Sequence, residues 1–130
     1  MTQTKSTMSI VLLRVLAWVS LTVIIVLTVV PPAMRPVTAA PSGVEHSAIF
    51  LLAGALFVFA YEIRMSVLIA AAVIFAGCLE LLQLYIPGRH ARLSDALIDA
   101  SSACAGIAIA QSLLWLQHLT KNSKKIHAPD

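Results

Sequence analysis

Charge is what this sequence has least of. Nine Lys or Arg and six Asp or Glu make up 12% of 130 residues, where a soluble domain carries roughly 25%. So thin a charged coat cannot keep a chain that is 59% hydrophobic in water, and a soluble globular domain is excluded. Cysteine is scarce too. Cys78 and Cys104 have neither CxxC spacing nor a His-rich neighbourhood, so no zinc or redox motif is expected. Each reads as a small apolar side chain. There is no compact motif such as HExxH and no serine or cysteine beside a histidine in a nucleophile motif. Heptads, tandem repeats and low-complexity tracts are likewise missing. No cofactor and no metal are expected, and a net charge of +3 does not point to nucleic acid.

What the chain does have is long apolar runs. A bilayer takes about 20 apolar residues to cross as a helix. Four runs qualify in kind: Ser9 to Val30, stopped by Pro31 and Pro32; the shorter His46 to Tyr61; Ser66 to Ile86, stopped by Pro87 and Gly88; and Ala96 to Gln117. Backbone groups in lipid need internal hydrogen bonds, so each run is expected to be a helix. The fold class is therefore an all-α membrane protein, with four transmembrane helices in a compact antiparallel bundle. Residues 1–8 form an N-terminal segment, 9–117 the transmembrane domain and 118–130 a basic tail that would lie beside anionic headgroups.

A cleaved leader is the alternative for the first run, because Val37-Thr38-Ala39 resembles a small-residue cleavage site. The run is longer than a usual leader core, and the site begins seven residues after its end, which favours a retained helix. Basic residues set orientation. Lys5, Arg14, Arg64, Lys121, Lys124 and Lys125 fall on one side, and Arg35, Arg89 and Arg92 on the other. That bias expects both termini in the cytoplasm, with the segments Pro31–Glu45 and Pro87–Ser94 facing outward.

Polar chemistry gathers in one stretch, ELLQLYIPGRHARLSDALID, from Glu80 to Asp99. Glu80 lies six residues before Ile86, hence roughly 9 Å below the end of its run at 1.5 Å per residue. A carboxylate at such depth is a functional-site candidate by default. Gln83, three residues on, shares its face. In the fourth run Asp95, Asp99, Ser102, Gly106 and Ala110 recur on one face, two carboxylates followed by small residues that let helices approach closely. Ser94 or Asp95 is expected to cap that helix. His46 opens the second run at the same level. Arg89, Arg92 and Arg35 supply balancing charge, and Arg89 is expected to fold back towards Glu80 or Asp99.

Several readings of this cluster compete. It can be a charged clasp that fixes helix register, although one ion pair would suffice for that. A metal site of His46, His90, Glu80, Asp95 and Asp99 lacks a compact motif, and His90 reads more simply as a solvated loop residue. Proton or ion translocation would need polar residues across the whole membrane, and these stop halfway. An intramembrane enzyme would use Glu80 as general acid or base on a lipid-linked substrate. A polar pocket open to the outside fits best, binding through His46, Glu80, Gln83, Arg89, Arg92, Asp95 and Asp99. Arginine forks would meet phosphate or carboxylate groups.

The pattern LELLQ-x3-PGR-x5-D-x3-D resembles the VanZ-like family of bacterial membrane proteins. Glu80, Gln83, Pro87, Gly88, Arg89 and Asp95 stand at the positions that match the family's motif, with Ala103 and Gly106 in its small-residue segment. VPPAMRP, from Val30 to Pro36, and His46-x3-Phe50-x3-Gly54 are similar to its first loop and second helix. Two residues depart from the pattern: Asp99 stands where an Asn is usual, and Glu45 where a Lys is common before the His. The resemblance implies an envelope-related role in the inner membrane, linked to resistance to the glycopeptide teicoplanin or to surface polysaccharide. Its partners would be membrane lipids or envelope glycans, with a second copy of the chain or another membrane protein also open.

Overall fold

The computed structural model describes residues 7–30, 42–86 and 92–126, and the side chains of all of these except 42, 43 and 123–126. The described chain consists of four helices: α1 (Thr7–Val29), α2 (Ser42–Ala60), α3 (Met65–Gln83) and α4 (Leu93–Ile126). The expected all-α bundle is found. Three spans, Thr7–Val29, Met65–Gln83 and Leu93–Asn122, are long and apolar enough to cross a membrane, and Val44–Ala60 is a shorter apolar helix. Outward-facing surfaces are lined by large hydrophobic residues such as Val15, Ile74 and Leu113. A lipid solvent tolerates such a surface and water does not.

Helix boundaries differ from the sequence expectation at several ends. α2 starts four residues before His46, inside the segment expected to be loop. α3 stops at Gln83, and Leu84, Tyr85 and Ile86 each donate to the carbonyl three residues back, at 3.2, 3.1 and 3.1 Å. The tightened turn precedes Pro87, whose ring disfavours α geometry at the residue before it. α4 runs on through Ile126, well past Gln117, so that part of the expected tail is helical.

Chain order is not packing order. α2 and α3 are joined by only four residues, Tyr61–Arg64, yet α2 packs most extensively on α4. α1 lies against α2 and α3 against α4, while α1 and α3 touch sparsely. The central α2–α4 seam depends on two glycines. A Cβ built on Gly54 would meet the backbone of Ala103, and one on Gly106 the backbone of Leu51. Ala103 and Ala110 continue the seam on α4, both buried. Small residues at helical spacing thus let two backbones come together where packing, not water, drives association.

Call the end where α1 and α3 finish and α2 and α4 begin the upper end. Near it, Ile24, Phe50, Ala53, Ala76, Leu79 and Ala103 form a core cluster drawn from all four helices. Below it, Val58, Leu68, Ile107 and Ala110 form a second cluster in which α1 takes no part. Hydroxyls inside the helices bond their own backbone. Ser20 donates to the Ala17 carbonyl at 2.7 Å, Thr28 to Ile24 at 2.8 Å and Ser102 to Ile98 at 2.8 Å. Such back-bonding lets polar residues sit in an apolar setting without an outside partner.

Candidate functional site

The alternation of helix directions carries three polar side chains to the upper end. His46 is in the second turn of α2, Glu80 in the last turn of α3 and Asp99 in the second turn of α4. His46 Nδ1 lies 4.0 Å from Asp99 Oδ2, and their side chains are only 18% and 15% exposed. Glu80 is the one buried charged residue among the described residues, at 8% exposure.

The Glu80 carboxylate accepts a hydrogen bond from the backbone N–H of Arg92. Arg92 is the residue just before α4, whose first bonds run from the Asp95 and Ala96 amides to the Arg92 carbonyl at 2.9 and 3.4 Å. Glu80 therefore reaches across from α3 to the entry of α4, as the third helical residue does within one helix in a capping box. This corrects the expectation that Ser94 or Asp95 caps α4. The helix begins at Leu93, which puts both residues inside its first turn, and the Ser94 hydroxyl instead donates to Asp95 Oδ1 at 3.0 Å. Asp95 remains where the helix dipole favours an anion.

The expected site residues separate into two tiers. His46, Glu80 and Asp99 form an inner group, while Gln83 is half-buried and Arg92 and Asp95 are exposed at the rim. Arg89, with His90 and Arg35, lies outside the described residues. Among the described residues no three His, Cys, Asp or Glu side chains come together as a metal-binding set. The inner group offers an imidazole and two carboxylates, suited to hydroxyl, amine or amide groups of a ligand.

A cavity of about 340 Å³ lies below this cluster, and its walls are hydrocarbon. Ile24, Phe50, Phe75 and Ala103 mark its top, each about one turn or slightly more below the polar residue of its helix where there is one. The Phe50 and Phe75 ring centroids are 6.3 Å apart. This cavity and the polar group thus occupy successive layers of the bundle. Trp18, Ile63 and Val67 mark the bottom of the cavity.

Sequence reasoning missed a second cluster at the lower end. Arg14 Nε donates to the Ala60 carbonyl at 3.4 Å, and its guanidinium carbon lies 5.0 Å from the Tyr61 ring centroid. A cation on the last carbonyls of α2 complements the helix dipole there. Trp18 Nε1 donates to the Tyr61 hydroxyl at 2.9 Å, and the Phe57 ring stacks on Tyr61 with centroids 5.8 Å apart. Arg14 had counted only as a basic residue near one face of the membrane. The available signal was the aromatic spacing Phe57-x3-Tyr61 at the end of the second apolar run.

No curated protein and no solved structure matches the chain. A protein-family match does, spanning residues 2–116 and so including the first three runs, all but the last residue of the fourth, the Glu-x2-Gln pair, the Pro-Gly-Arg turn and the small-residue face of α4. On that match, which takes in most of the sequence, the chain belongs to the VanZ/LLP1 family.

Proposed function

We propose that this protein is a multi-pass protein of the bacterial inner membrane that binds the polar headgroup or glycan of a cell-envelope molecule at the upper end of its bundle. One observation carries the reading: His46, Glu80 and Asp99 converge from three helices as mostly buried polar groups in an otherwise apolar molecule. Taking charges out of water costs several kcal/mol per ion, and fixing helix register needs only one pair. The excess suits a ligand whose hydroxyl or amine groups meet the inner carboxylates. Arg92 at the rim, and Arg89 next to the motif's Pro-Gly, would meet its phosphate or carboxylate groups. The basic bias of the flanks supports both termini in the cytoplasm and this end outward. Membership in the VanZ/LLP1 family and its resemblance to resistance-associated proteins support a role in glycopeptide resistance, teicoplanin above all, or in surface polysaccharide.

A second reading, that the cluster only clasps α3 to α4, is favoured by the Glu80 bond to the Arg92 amide. Two conservative substitutions separate the readings. Glu80→Gln keeps a carbonyl acceptor for that amide and removes the charge, and His46→Asn keeps a hydrogen-bonding group near the Nδ1 position and removes the imidazole. Under ligand binding, both variants reach normal levels in the membrane but fail to restore the envelope or teicoplanin phenotype of a deletion strain. Full restoration by both would leave the clasp as the role of the cluster.

A further inference from the structure

We infer that the cleft between α1 and α3 is a binding site for one acyl chain of an anionic phospholipid, with the phosphate at the lower rim beside Arg14 and Arg64. It is a different site from the upper cluster and stands independently of it.

The cleft lies below the core cluster that α1 shares with α3. Ile24 shares the upper core with Ala76 and Leu79, whereas the lower core is built from α2, α3 and α4 alone. Below Ile24 the two helices diverge. Trp18 and Leu21 on one side and Val67, Ala71 and Phe75 on the other line a cavity of about 340 Å³, within the roughly 300–1,000 Å³ range of small-molecule sites. The α1 side is held open by bonds to α2, not to α3: Arg14 to the Ala60 carbonyl and Trp18 to the Tyr61 hydroxyl. A transmembrane helix, about 10–12 Å across with its side chains, is too thick for this space. At the depth of these helices the surrounding medium is hydrocarbon chains, and a chain enters sideways without leaving its leaflet.

The lower rim supplies the rest of an amphiphile's requirements. Arg14 precedes Trp18 by one helical turn, and Arg64 follows Ile63, so a basic residue adjoins a wall residue on each side. Arg64 and Glu62 are both exposed there. Trp18 and Tyr61 set amphipathic rings at the same level, where membrane proteins place them against headgroups. Two arginines against one glutamate favour an anionic headgroup over a neutral one.

The test uses the full chain in detergent with Trp115→Phe as background, which leaves Trp18 in the cleft wall as the single tryptophan. Phosphatidylglycerol with brominated acyl chains is titrated in, and Trp18 fluorescence is followed. Saturable quenching is expected, with at least about tenfold weaker binding after Ala71→Phe fills the cleft, a loss of one such step in free energy. Val67→Phe at the rim serves if Ala71→Phe does not fold. Brominated phosphatidylcholine should bind several-fold more weakly, and Arg64→Gln should remove that difference. Quenching that never saturates, that is unchanged by the filling substitution, or that is equal for the two lipids in the wild-type cleft overturns the inference.

Discussion

The α2–α4 seam and the α1–α3 cleft are opposite solutions to the same problem, how two helices meet without water to press them together. In the seam the side chains are removed. Gly54 and Gly106 bring backbones into contact, and Ala103 and Ala110 fill what remains. In the cleft large side chains, Trp18, Leu21 and Phe75, stand among small ones such as Ala71, Ile24 joins α1 to the upper core, and space is left below. Closeness in the seam therefore follows side-chain size and not chain connectivity. The four-residue link between α2 and α3 does not make them the tightest pair.

The strongest way to break the contrast is to give the seam side chains. Gly106→Val should push α2 away from α4 and cost about 3 kcal/mol, the upper end of ordinary overpacking, because the Leu51 backbone cannot rotate aside as a side chain can. Unfolding in mixed detergent, followed by circular dichroism, measures it. Next comes the tie that holds α1 on α2. Arg14→Ala removes a contact with a helix C-terminus and a cation over a ring, and is expected to cost about 1–2 kcal/mol in the same assay. Trp18→Phe and Tyr61→Phe should each cost about 1 kcal/mol. Because they break one shared bond, the double variant should cost little more than either single one. The smallest effect sharpens the comparison from the other side. Gly77 has open space where a Cβ would go, so Gly77→Ala should be neutral or stabilise by up to about 1 kcal/mol through helix propensity alone. A large loss there would mean that Gly77 faces a helix of another molecule.

The seam was half legible in the sequence. The recurrence of Ser102, Gly106 and Ala110 behind two aspartates announced a close-packed face on α4, since small residues at that spacing have few other uses in lipid. Which helix it faces was not legible, because nothing local to α4 names Leu51. The candidate site shows the same limit. The depth of Glu80 could be counted from Ile86, and its burial is as expected. Its expected partner, the Arg89 side chain, lies outside the described residues, and the partner that the described residues show, the Arg92 backbone amide, was not foreseen. That outcome depends on where α4 begins, and helix starts are set by how the preceding segment closes. The same shift moved Ser94 and Asp95 from cap to first turn. The cleft left no trace in the sequence at all. It is a property of distances between helices, and the residues around it are ordinary apolar ones.

The length of α4 has a practical consequence. It has 34 residues, about 51 Å of helix at 1.5 Å per residue, where α2 has 19. Since both begin at the same end and pack side by side, α4 must run past the end of α2 by several turns. A continuous helical linker joined after Ile126 would inherit the direction of the bundle. A soluble protein attached through it would give so small a molecule the mass and the fixed fiducial that single-particle imaging in a nanodisc requires.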